Sequence, residues 1–285
     1  MTPEREKQLK LDAIKIREGV LITTHGARSG HPGGSLSAAD YFAYLYSDVL
    51  NVRPETANDP DRDRFVLSKG HVTPGYYSAL ALHGFFPYED LGTFRHIDSY
   101  LQGHPNMNLV PGVDMSTGSL GQGFSVACGM AKGAKMLGKD LAVHTLLGDG
   151  EIDEGQIWEA AMFAGHNRLD NLCIAVDING LQIDGRTEDV MDSRPVDKKF
   201  EAFGARVITI DGHDFNQLEK AFAFFNENRG SGHPTVILLE TVKGRGVSYM
   251  ENQAGWHGKG PNKEEFEQGM AELAALREKI EGGQA

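Results

Sequence analysis

Residues 141–179 read LAVHTLLGDGEIDEGQIWEAAMFAGHNRLDNLCIAVDIN, and this stretch decides the fold. Two short runs rich in Val, Ile and Leu, LAVHTLLG (141–148) and NLCIAVD (171–177), flank a segment of helical character over 154–168. Short apolar runs alternating with helices are what a parallel sheet buried on both faces requires. The pattern continues downstream. ARVITID (205–211) and TVILLE (235–240) are further strand candidates, and helices are predicted over 194–203 and 214–227. Upstream, helices are predicted over roughly the first 25 residues and over 36–47, 75–83 and 120–137. A last helix is expected at 263–281, after which GGQA frays. The predicted fold class is α/β, a single three-layer domain over 1–285 with helices covering a parallel sheet. Residues 1–60 form its helical N-terminal portion and 262–285 a C-terminal helix and tail. There is no internal repeat, low-complexity tract or interdomain linker.

Gly148-Asp149-Gly150 directly follows the first apolar run, and Asn179 follows the second. In an open parallel sheet, ligands bind beyond the carboxyl ends of the strands. Both polar groups therefore reach one edge from strands that could be neighbours. The residue types suit a hard divalent cation carrying a diphosphate. Asp149 offers a carboxylate oxygen, Asn179 an amide oxygen and Leu181 a backbone carbonyl, and diphosphate oxygens and water would complete an octahedron. Gly150 and the start of the following helix let backbone N–H groups approach the diphosphate. Either piece alone reads as an ordinary turn. The two together, each placed after a strand, argue for a site.

The composition narrows the class. The chain has 285 residues, 40% hydrophobic and 24% charged, so wholesale disorder is excluded. The formal charge of −12 disfavours nucleic acid as a partner, because Lys and Arg carry that binding. No apolar stretch is long enough to cross a membrane. The charged N-terminus, MTPEREKQLKLDAIKIREG, lacks a signal-peptide core, and the cytoplasm is the expected compartment. Cys128 and Cys173 make neither a disulfide framework nor a metal cluster. Glycine is abundant, 35 residues, and clusters beside His and Asp.

At Gly148-Asp149-Gly150 and Asn179 the sequence resembles the thiamine diphosphate enzymes. SGHPGGSLS (29–37), LSKGHVTPGYYSAL (67–80), LQGHPN (101–106), STGSLGQGFSVACGMA (116–131) and WHG (256–258) narrow the resemblance to the transketolase family, in the right order. The resemblance runs from about residue 10 to 260. It implies thiamine diphosphate and Mg2+ (or Ca2+) as cofactors, with Asp149, Asn179 and the Leu181 carbonyl as metal ligands. His71, Gly118, Ser119, Leu120, Gly150 and Asn179 match cofactor-contacting positions, and His31, His71, His104 and His257 match catalytic histidines. Read without the family, neutral imidazoles that both donate and accept suit proton movement on a polyhydroxy substrate. The other seven histidines match no motif and are assigned structural places. Glu154 and Glu159 match glutamates of a subunit interface that links two active sites; the plain alternative is a solvated helical face.

The resemblance also implies what is missing. Transketolases carry a further domain that binds the aminopyrimidine ring and supplies a catalytic glutamate. This chain is therefore expected to be the N-terminal subunit of a split transketolase, with that domain on a separate C-terminal subunit in an α2β2 assembly. The implied reaction moves a two-carbon ketol unit from a ketose phosphate to an aldose phosphate. Alternatives are a subunit of a related thiamine diphosphate enzyme such as deoxyxylulose phosphate synthase, or a non-catalytic scaffold that keeps the cofactor site. Two isolated cysteines argue against an iron–sulfur 2-oxoacid oxidoreductase. GAKMLGKD (133–140) is a poor phosphate loop, with Asp140 where Ser or Thr should meet magnesium.

Overall fold

Among the described residues, seven strands make up two sheets: β1 Arg64–Leu67, β2 Val143–Gly148, β3 Leu172–Ile178, β4 Leu181–Gln182, β5 Gly185–Arg186, β6 Arg206–Asp211 and β7 Thr235–Glu240. Five of them form one all-parallel sheet in the order β1-β2-β3-β7-β6, and β4 and β5 make a separate small hairpin. This is a computed structural model in which residues 1–283 are described. The helices are α1 Pro3–Gly26, α2 Pro32–Ser37, α3 Ala39–Tyr44, α4 Thr73–Leu82, α5 Gln122–Met136, α6 Gly155–His166, α7 Thr187–Val190, α8 Val196–Ala202, α9 Phe215–Asn228 and α10 Lys263–Glu281. The strand side chains alternate between two apolar faces, as the pleat demands. Phe65, Leu67, Leu146, Ala175 and Ile237 join one core with Phe42, Tyr76 and Phe222 of α3, α4 and α9. Val66, Leu147, Ile174, Val176 and Val236 join the other with Phe124, Ile157 and Phe200 of α5, α6 and α8. The three-layer α/β expectation holds.

Local chemistry sets the ends of the long helices. Thr2 accepts from Arg5 N at 3.2 Å ahead of α1, with Pro3 in its first turn. Asn262 and Glu265 form a reciprocal capping box that starts α10 where the sequence places it. The α10 stripe then packs on α1 through Ile14, Leu21, Leu273 and Ile280.

Three expectations need correction. Residues 36–47 are not one helix: α2 ends at Ser37, α3 begins at Ala39, and a π-turn runs from Leu45 to Val49. Ser37 Oγ is drawn to Gly34 O (3.0 Å) and Asp177 Oδ2 (2.7 Å), and Ala38 sits at φ −87°, ψ 0°. The N-terminal portion is helical only to Val49; one short turn at Pro54–Thr56 interrupts irregular chain before β1. The helix expected over 154–168 forms as α6, with a separate tight turn, Glu151–Asp153, ahead of it. Strand β1 and the β4–β5 hairpin have no counterpart in the sequence pattern. In the tail, Gly282 and Gly283 form a turn, and the rest of GGQA lies outside the described residues.

Candidate active site

The carboxyl ends of β2 and β3, which are adjacent, bring the two halves of the motif together. Gly148 pairs in register with Asp177. Asp149 Oδ2 accepts from Gly180 N at 2.6 Å, and its Oδ1 accepts from Gly150 N at 2.9 Å. A cavity of about 290 Å³ opens at this edge. Its lining includes His31, His71, His104, His257, Gly118, Leu120, Asp149, Gly150, Asn179 and Leu181, thus nearly the whole expected set. Ser119 is exposed and outside it, accepting from Gln122 Nε2 at 3.1 Å. Glu154 and Glu159 are exposed at the start and on the flank of α6, away from the cavity. A larger groove of about 840 Å³ lies at the opposite, amino edge of β1 and β2. Its charged side chains are all paired, Arg62 and Arg64 with Asp114 and Lys139 with Asp61, so the chemistry lies in the smaller cavity.

Three residues that no motif singled out organise this edge. Asp177, fully buried at the end of β3, accepts from Ser37 Oγ, Lys69 Nζ (2.5 Å), Asn179 Nδ2 (2.9 Å) and Thr241 Oγ1. Burial alone would raise its pKa, but Lys69 and these hydrogen bonds outweigh that and hold it below the usual carboxylate range. It thereby fixes Asn179. Glu151 accepts from Ser68 Oγ (2.6 Å), Gly121 N (2.9 Å) and Gly148 N (3.0 Å), lacing three loops together. Lys243, 2% exposed, donates to Leu181 O at 3.0 Å and meets His257 Nδ1 at 3.1 Å. Burial lowers its pKa to about 8, while Asp149 and Asp177 oppose the shift. A lone Lys or Asp in a loop or strand end carries no spacing signal, so only the fold reveals these roles.

The histidines cluster. His31, His71 and His257 have ring centroids 5.0, 5.2 and 5.3 Å apart, pair by pair. Burial lowers all of their pKa values, His31 to about 4 and His257 to about 3, with neighbouring cations and imidazoles adding to the shift. His104, at the mouth, is lowered by burial and by Arg95. All four are neutral near pH 7, each able to give or take a hydrogen bond. His31 Nδ1 is buried with no partner among the described residues.

The residues fit a divalent cation and a diphosphate. Burial and the neighbouring Asp177 push the Asp149 carboxyl up to about 7, a conflict that a dication would relieve. Asp149 has no ion-pair partner among the described residues, although Lys69 satisfies Asp177. No group of three or more His, Cys, Asp or Glu side chains among the described residues is arranged to hold a metal, so a site needs amide and carbonyl oxygens, as a hard cation prefers. Asn179 Oδ1 and Leu181 O each keep a second lone pair beyond the bond already accepted. Gly150 and Gly118 leave the approach open: a Cβ would lie 3.0 Å from Gln182 Cβ at the first and 2.9 Å from His104 at the second.

Residues 10–278 match the family model described as transketolase, thiamine diphosphate binding domain. The chain belongs to the transketolase family. It is similar to the 6-deoxy-6-sulfo-D-fructose transketolase subunit SqwG of Clostridium sp. (strain MSTE9), with 43% identity over 95% of this chain and 98% of that protein. It is also similar to an apulose-4-phosphate transketolase subunit of Actinobacillus succinogenes, at 40% identity over 95% and 96% of the two chains. Among solved structures, transketolase from Leishmania mexicana superposes with a TM-score of 0.87 and 29% identity. That match covers 97% of this chain but 45% of the other, so the chain spans under half the length of that transketolase. No helix among the described residues is long and apolar enough to cross a membrane.

Proposed function

We propose that this chain is the diphosphate-binding subunit of a split transketolase, a transferase, and that 1–285 constitutes its single domain. The observation that carries the reading is the joint placement of Asp149, Asn179, Leu181 and three neutral histidines around one cavity at the carboxyl edge. The near-complete coverage of two relatives named as subunits supports a separate partner. That partner is a C-terminal subunit bearing the pyrimidine-binding domain and a catalytic glutamate, joined in an α2β2 assembly. The exposed Glu154 and Glu159 belong to the face where subunits meet. The cytoplasm is the compartment proposed.

Asp149, Asn179 and the Leu181 carbonyl would hold Mg2+ (or Ca2+), and His71, Gly118, Leu120, Gly150 and Asn179 would contact the cofactor, whereas Ser119 lies outside the cavity. Thiamine diphosphate supplies, when bound, the nucleophilic carbon and the electron sink for a two-carbon ketol unit. The chain's own residues supply the rest. Asp177 holds Asn179 in place, and Lys243 holds the Leu181 carbonyl. His31, His71 and His257, neutral and close together, can take or return protons at the hydroxyls of a sugar phosphate. His104 at the rim can orient the same substrate. The surrounding burial excludes water and strengthens each of these contacts.

The test is a ketol-transfer assay with thiamine diphosphate and Mg2+, using xylulose 5-phosphate and ribose 5-phosphate. It is run on the chain alone and with the partner subunit. Activity only in the mixture is expected. Turnover by the pure chain would overturn the split-subunit reading.

A further inference from the structure

Behind the cavity lies a buried charged cluster that bears on the segment carrying Lys243. Arg17 of α1 grips Asp40 of α3 through Nη1 (3.1 Å) and Nη2 (2.5 Å), and His213 Nδ1 lies 2.6 Å from Asp40 Oδ2. His213 sits in the loop between β6 and α9 and belongs to no motif. Its Nε2 accepts from Val242 N at 2.9 Å. That bond fixes the tautomer: Nε2 is unprotonated, so Nδ1 carries the proton and donates it to Asp40. Arg17 Nε donates to Arg245 O at 3.0 Å. One cluster therefore holds the backbone N–H of Val242 and the backbone carbonyl of Arg245. Lys243 lies between those two points. Its own carbonyl is held by Asn252 N at 2.9 Å, and Gly244 N is held by Gly33 O at 3.0 Å.

We propose that Arg17, Asp40 and His213 are positioning residues that set the backbone of Lys243, and through it Leu181 and His257, for the cofactor. The inference rests on the reading of the cavity as a thiamine diphosphate site. Burying Arg17 and Asp40 adds little net stability over apolar side chains of the same volume. What the charged trio adds is a fixed register at a segment that bears on Leu181 and His257.

The test separates the two ends of the imidazole. His213→Asn keeps a donor where Nδ1 stands and removes the acceptor for Val242. His213→Gln places an acceptor where Nε2 stands. Arg17→Lys keeps a cation beside Asp40 and removes the bond to Arg245. Each variant, assembled with the partner subunit, is titrated with thiamine diphosphate and Mg2+ by tryptophan quenching, well below its melting temperature. His213→Asn and Arg17→Lys are expected to bind about tenfold more weakly, and His213→Gln to recover most of that loss. A cofactor affinity equal to wild type in both His213→Asn and Arg17→Lys would overturn the inference. So would losses of equal size in His213→Asn and His213→Gln, because a merely structural role would not distinguish them. If His213→Asn fails to fold, Arg17→Lys decides alone. A wild-type complex that binds no cofactor would instead overturn the functional reading, and this inference with it.

Discussion

The two edges of the sheet each bury a carboxylate, and they treat it in opposite ways. At the amino edge, Asp114 accepts from Arg62, from Arg64 and from Phe65 N at 2.9 Å. Arg62, Arg64 and Asp114 thus partner one another. At the carboxyl edge, Asp149 accepts only backbone N–H groups, has Asp177 nearby, and is pushed up to about 7 by burial and that neighbour. A satisfied cluster holds a fold together; an unsatisfied one is poised for something that is not protein. The larger groove belongs to the satisfied edge, so cavity size alone would mislead.

That contrast can be broken at the amino edge first. Asp114→Ala leaves Arg62 buried without its main acceptor, and the chain should lose about 3–5 kcal/mol in urea unfolding. Cofactor affinity of the folded fraction should not change; a parallel loss would erase the distinction. A smaller effect sits at His144, in β2 against Phe225, with Nδ1 unpartnered among the described residues. Burial depresses its pKa to about 4. The unfolded chain takes up that proton first as pH falls, so stability held above about pH 6.5 is lost progressively towards pH 4. Between about pH 7 and pH 5 the fall from this residue is on the order of 2 kcal/mol, and His144→Leu should remove that part of the slope. The smallest effect is at Gly150. Gly150→Ala places a Cβ against Gln182 and should cost roughly threefold to tenfold in diphosphate affinity, about 1 kcal/mol, with the melting temperature unmoved. An unfolded Gly150→Ala chain would show that this glycine serves the fold rather than the site.

Much of this was legible in the sequence. Apolar strands alternating with helices marked four of the five sheet strands, and the Asn262/Glu265 pair marked the start of α10. The histidines and the Gly-Asp-Gly motif announced themselves through their glycine and proline neighbours. Strand β1 did not, because Arg64–Leu67 is four residues long and follows a run of Asp, Arg and Pro. Asp177, Lys69 and Lys243 were also silent. Their roles come from pairing across 108 residues of chain and from a carbonyl contact across 62, which periodicity does not encode. The break at Ala38 has the same origin, since Ser37 answers to Asp177 as well as to Gly34 of its own helix.

The most direct measurement is a calorimetric titration of thiamine diphosphate with Mg2+ into the assembled complex, wild type against Asp149→Asn, with the melting temperature of each cofactor-free protein alongside. Asp149→Asn should weaken binding by about 100-fold or more while melting no lower than wild type, because it removes a buried charge that has no ion-pair partner among the described residues. Binding as tight as wild type, or a large drop in melting temperature, would contradict the account and make Asp149 a structural residue.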